Sequence, residues 1–114
     1  MNLIVPHKEN KILAEVQVAK SFFDRSRGLM FCKSWPKDKT LWIHRCNSIH
    51  TGFMNFAIDA IFVDRQLRIA KLVKDLHPWK LVLPIWSSSS VFEFVSGHGK
   101  LDGLEVGDQL YVGH

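Results

Sequence analysis

Cys46-Asn-Ser-Ile-His-Thr-Gly-Phe-Met54 gathers a thiol, an imidazole and hydroxyls in one short stretch, with His44 just before it and Asp59 just after. On a continuous strand His44, Cys46, Ser48 and His50 point to one face, because side chains alternate. His44 and Cys46 could then share one zinc ion. His50 sits four residues past Cys46, roughly 13 Å along an extended chain, so it joins them only if the chain bends at Asn47, Ser48 or Gly52. Further ligands would have to come from elsewhere, and His77 and His98 are the other interior histidines. The same residues allow thiol chemistry, with Cys46 as nucleophile, His50 as its base and Asp59 as orienter. Against both stands a plainer reading: Cys46 is a small buried hydrophobe and His50 a hydrogen-bonded structural side chain. The absence of Cys-x-x-Cys or His-x-x-x-His spacing favours the plainer one. No cofactor is expected on it.

Asp59, Glu93 and Asp108 are carboxylates in or beside apolar strands. Such groups can do acid–base chemistry when paired in a cleft, but more often accept backbone N–H bonds and pin a turn. Asp108 after Gly107 reads as a turn residue. Asp59, between Ile58 and Ala60, needs a partner if buried, and Arg25, Arg27 and Arg45 are the candidates. The large rings Trp35, Trp42, Trp79, Trp86, Phe53 and Phe56 suit either a core or a contact surface. Trp42 and Phe62 are expected inside. Trp79, between Pro78 and Lys80, is in a loop setting that favours exposure. No phosphate loop, dinucleotide fingerprint or nucleic-acid motif is present.

The elements that must position these groups are mostly strands. Segments 12–18, 41–47, 56–63, 67–73, 91–95 and 109–112 carry strand signals. The runs either side of Asp64-Arg-Gln-Leu67 are spaced as a hairpin, although no glycine marks the turn. A helix starts at Ser21, with Asp24 able to reach back as a short capping box, and ends at Gly28. Ser87 to Ser90 read as a short loop feeding a strand. The expected fold is mainly β, a small antiparallel sandwich or barrel with one short helix near residues 21–28 and a single domain over residues 1–114.

Arg27-Gly-Leu-Met30, Ser48-Ile-His-Thr51 with Met54, Ile58-Asp59, Phe62-Val-Asp64, Phe92-Glu93 and Gly107-Asp108 occur in that order. Together they make the chain, from about Val16 to Val112, resemble the Domain of Unknown Function 192 family, in the branch carrying a cys-x-ser-ile-his-thr motif. The resemblance implies a compact β fold of jelly-roll or sandwich type in bacteria or archaea, and brings no agreed catalytic residues. Many members begin with an export segment, which is not seen at this N-terminus.

With 46% hydrophobic and 23% charged residues in 114, the composition is that of a soluble globular domain. No apolar run approaches the roughly 20 residues of a spanning helix, so a cytoplasmic location without a membrane span is expected. There the two thiols, Cys32 and Cys46, stay reduced. Residues 1–50 hold nine Lys and Arg against four Asp and Glu, a charge of +5; the rest hold six against seven, −1. These charges are scattered singly, which suits a solvated surface better than a nucleic-acid groove. The function expected is a binding or accessory module with a shallow site around Ser48–Asp59. His50, Thr51, Met54 and Asp59 would shape the site and Trp79 would line it, for a protein or small-molecule partner. The alternatives are a metal-dependent or thiol enzyme using His44, Cys46 and His50, and a purely structural subunit of a larger complex.

Overall fold

The structure is a computed structural model that describes residues 1–114, except for the side chains of residues 22–24. Nine strands and one α-helix follow in the order β1 (Asn2–Val5), β2 (Lys11–Val18), α1 (Phe22–Arg27), β3 (Lys39–His44), β4 (Ile49–His50), β5 (Ile58–Val63), β6 (Ile69–Leu76), β7 (Leu81–Val82), β8 (Ser90–Val95) and β9 (Tyr111–Gly113). Seven form one sheet in the order β6-β5-β8-β3-β2-β1-β9, and β4 pairs with β7 as a separate ribbon. The mainly β architecture with one short helix matches the expectation. One pairing departs from it: β2 and β3 run parallel, with Val16 opposite Thr40 and Val18 opposite Trp42. A hairpin turn cannot join parallel neighbours, and the crossover that does so carries α1. The sheet is therefore mixed.

No closed barrel forms, yet the two edges approach at one end. Arg68 bridges Gln109, and Leu110 N–H donates to the Leu67 carbonyl at 2.9 Å while Ile69 N–H donates to that of Asp108 at 2.9 Å. The curled sheet encloses one core, including Leu3, Val16, Ile61, Phe92 and Leu110. Its other face carries a second core, with Leu29, Leu41, Ile58, Phe62 and Val91. Because apolar residues cover both faces, all six residues of β5 are buried, and apart from Asp59 the strand is apolar throughout.

The glycine-free β5–β6 turn is built by Asp64. Its Oδ1 accepts the N–H groups of Gln66 at 2.9 Å and Arg68 at 3.0 Å, and Leu67 takes the left-handed conformation at φ 62°. At the helix, Arg25 N–H donates to the Ser21 carbonyl at 3.0 Å, and Gly28 follows the last turn at φ 56°, as a left-handed C-cap requires. The reach-back proposed for Asp24 lies outside the described residues. Strand β1 and the two-residue strands β4 and β7 went unread in the sequence. Strand β1 is a short apolar run before Pro6, and β4 and β7 are too short to show a period.

A candidate aromatic contact site

Phe31, Phe53 and Trp79 come from three separate loops and meet at the surface. The Phe31 and Phe53 rings stack with centroids 5.3 Å apart, and Trp79 meets Phe53 edge-on at 4.8 Å. All three remain exposed, at 59%, 57% and 68%. With Lys33, Met54 and Asn55 they line an open depression of about 710 Å³. All three also sit at positive φ, 66°, 61° and 64°. Aromatic residues seldom adopt that conformation, which costs of order 1–2 kcal/mol each. The surrounding backbone must hold them there. Phe31 N–H donates to the Phe53 carbonyl at 3.2 Å and Trp79 N–H to that of Thr51 at 3.0 Å.

Thr51 is the hub of this arrangement. It is fully buried, and its hydroxyl donates to the His77 carbonyl at 2.6 Å while accepting the Lys80 N–H at 2.8 Å. Its own N–H donates to the Lys80 carbonyl at 2.8 Å, and its carbonyl accepts Met54 N–H at 3.2 Å. One side chain thus ties the 51–54 turn to the 77–80 turn. Met54 is buried beneath the rings, and His50 is exposed on β4 opposite Leu81. The Trp79 ring lies over Gly52, where a Cβ would stand 3.4 Å from it.

Asp59 lies within β5, away from the rings but joined to them through the backbone. Its Oδ1 accepts the Asp75 N–H at 2.8 Å. That donor belongs to an irregularity in the β5–β6 pairing, between Ile58 and Ala60, where Asp75 takes φ 54°. The partner is therefore a backbone amide, and among the described residues no arginine pairs with Asp59. Asp75 Oδ2 in turn contacts His77 Nε2 at 3.1 Å, next to the carbonyl held by Thr51. We predict that Asp59→Ala costs about 1–2 kcal/mol by removing the acceptor of the part-buried Asp75 N–H bond, and that Asp59→Asn, which keeps an acceptor, costs less. Urea unfolding of the two variants tests this, and equal losses would contradict it.

The residues of the metal and thiol readings are not assembled. His44 and Cys46 line the same clefts, whereas His50 stands beside Gly52 and Trp79. Among the described residues no three His, Cys, Asp or Glu side chains gather closely enough to hold a metal ion. Burial pushes the Cys46 thiol up, and the Glu93 charge acts in the same direction, which disfavours the nucleophilic thiolate. The thiol donates to the Ser48 carbonyl at 3.0 Å, and Cys32 and Cys46 are unbridged. His44 is held below the usual histidine range, first by burial and then by the positive charges of Arg25 and Arg45.

Residues 4–112 match the family model described as DUF192, Uncharacterized ACR. The chain belongs to the DUF192 family. It is 36% identical to a UPF0127 protein of Pyrococcus horikoshii over 101 residues, covering 84% of this chain and 85% of that one. It is 33% identical to a UPF0127 protein of Pyrococcus furiosus over 108 residues, covering 90% of each. The fold is shared with the crystal structure of a protein of unknown function from Novosphingobium aromaticivorans, at a TM-score of 0.81 and 18% identity over 98% of this chain and 84% of that one. A second crystal structure, from Sinorhizobium meliloti, aligns at a TM-score of 0.76 and 18% identity over 96% of this chain and 89% of that one. Among the described residues no helix is long and apolar enough to cross a membrane.

Several residues that carry the DUF192 resemblance have physical roles in the fold. Asp108 Oδ2 accepts the Glu105 N–H at 2.8 Å, so it pins the turn as its sequence context suggests. Gly28 is needed for two reasons. Besides its left-handed φ, a Cβ there would fall 2.7 Å from Glu93 Oε1. Glu93 on β8 is 2% exposed, and its Oε1 has no hydrogen-bond partner among the described residues. The Leu29 N–H bonds the carboxyl group, yet burial dominates and pushes it up to about 7. Only the tertiary structure revealed the aromatic site's third ring, Phe31, and the isolation of Glu93. Neither has a sequence signal, because both follow from which loops and strands meet.

Proposed function

We propose that this chain is a binding module that takes an apolar segment of a partner protein on the Phe31–Phe53–Trp79 cluster. The observation that carries the reading is three exposed aromatic rings, all at left-handed φ and in mutual contact. Backbone strain spent on presenting large rings to solvent has no use in the core, and it is a mark of functional surfaces. Rigid aromatic anchors beneath a polar rim, here Lys33 and Asn55, are what protein hot spots are made of. An exposed apolar patch without a partner is a liability for a free monomer. Met54 supports the floor, Thr51 locks the frame, and His50 stands at the edge.

The test is comparative capture from cell extract, with wild type and the Phe53→Ala/Trp79→Ala double variant as baits, both first shown to be folded by circular dichroism. A protein retained by wild type is expected to bind the double variant about 30-fold or more weakly, since truncating one hot-spot ring alone removes about 2 kcal/mol. Equal retention of the same proteins by both baits would reject the aromatic cluster as the contact surface.

A further inference from the structure

A second open cleft lies elsewhere, between the end of β3, the β5–β6 turn and the serine tract before β8. It measures about 740 Å³, within the range of small-molecule sites. Trp42 and Leu67 provide an apolar floor, with Arg45 and Arg65 at the rim and Ser88, Ser89 and Ser90 along one wall. We propose that this cleft binds a small organic anion, its carboxylate or phosphate group held by Arg45 and Arg65 and its apolar body resting on Trp42 and Leu67.

The charge balance selects an anion. Among the described residues neither Arg45 nor Arg65 has an ion-pair partner. Asp64 is the one acid in the lining, and its Oδ1 is occupied by the two turn amides of Gln66 and Arg68. Guanidinium groups suit planar or tetrahedral oxyanions because their N–H donors are fixed in a fork. A neutral ligand would leave both unused.

The cleft is also built rigidly. Arg45 is held at φ 54°, and the next amide, Cys46 N–H, donates to the Ser89 carbonyl at 3.2 Å. Ser89 N–H donates to the Val63 carbonyl at 2.8 Å, and the buried Ser88 hydroxyl donates to that of Ser90 at 3.1 Å. Ser88, Ser89 and Ser90 therefore form a fixed wall. Trp42 is immobilised too: its indole N–H donates to Ser90 Oγ at 3.0 Å, and its ring contacts those of His44 and Phe92, with centroids 4.1 Å and 5.0 Å apart. Strain at Arg45 and a locked indole are the marks of a site set up before its ligand arrives.

Titration of the isotope-labelled protein with phenyl phosphate, benzoate, inorganic phosphate and benzyl alcohol, followed by amide and indole NMR shifts, decides the matter. Phenyl phosphate or benzoate is expected to give saturable shifts at Arg45, Ser88–Ser90 and the Trp42 indole. The Arg45→Ala/Arg65→Ala double variant, which removes only exposed side chains, should bind at least about ten-fold more weakly. Benzyl alcohol should bind more weakly by a similar factor. The proposal is overturned if no saturable shift appears at these residues, if the double variant binds as wild type does, or if benzyl alcohol binds as tightly as the anions. Shifts confined to Phe31, Phe53 and Trp79 would overturn it while leaving the aromatic contact site intact. Inorganic phosphate matching phenyl phosphate would overturn the role given to Trp42 and Leu67.

Discussion

Between pH 4 and pH 8 the wild-type protein is expected to lose about 3 kcal/mol of stability that the Glu93→Gln variant keeps. Glu93 sits on a strand covered on both faces, with Leu41 opposite it on β3 and Ala60 on β5. Its carboxyl group is pushed up to about 7 from an ordinary 4.5, by burial first, with the Leu29 N–H bond opposing. A carboxyl whose folded value is raised stabilises the fold fully below its unfolded value, where both states hold the proton. As pH rises past 4.5 the unfolded chain releases its proton while the folded one retains it, so stability falls until the folded group ionises near pH 7. A rise of this size corresponds to about 3 kcal/mol, or roughly a 10–20 °C change in melting temperature for a domain of this length. Denaturant unfolding of both proteins across this range gives the answer. Parallel stability curves for wild type and Glu93→Gln would show that Glu93 is ionised, or solvated, in the fold. The loss is not offset by an ion pair, since Oε1 has no hydrogen-bond partner among the described residues and Gly28 offers it no side chain.

Thr51→Val is expected to cost about 3 kcal/mol although it changes neither volume nor branching. The substitution removes the hydroxyl that serves the His77 carbonyl at 2.6 Å and the Lys80 N–H at 2.8 Å. Both part-buried groups are then left facing a methyl of the buried residue 51, and an unpaired polar group shielded from water costs about 1–3 kcal/mol. The loss falls on the two turns that hold Trp79 and Phe53 at positive φ, so the rings should lose their fixed placement. Amide exchange at Trp79 and Lys80 should quicken by a factor of about 100. Thr51→Ser, which restores the hydroxyl, should recover most of it. If Thr51→Val unfolds within about 0.5 kcal/mol of wild type, with unchanged exchange at Trp79, the hub role is wrong.

Much of this protein was legible in the chain itself. Period-two patterning marked the β2 strand, the largely apolar run 56–63 marked the β5 strand though not its burial on both faces, and Gly28 marked the end of α1. Asp108 and Trp79 were read correctly as a turn residue and an exposed ring, because their neighbours, Gly107 and Pro78, constrain the backbone locally. Local sequence could not supply pairing direction. A helix between two strands allows either arrangement, and only the pairing shows that the 20 residues from Ala19 to Asp38, α1 among them, lay β3 parallel to β2. Nor could it supply partners distant in the chain. Asp59 meets Asp75 through an irregularity in strand pairing, Phe31 meets Phe53 across 21 intervening positions, and Glu93 lies against Gly28 from 65 positions further along the chain. Local patterning carried most of the strands, though not β1, β4 or β7, and the main turns, because those depend on neighbours within a few residues. Which rings are presented together, which carboxyl is left without a counter-charge and which serines wall a cleft all depend on contacts whose sequence separation leaves no local trace, so they emerge only when the chain is folded.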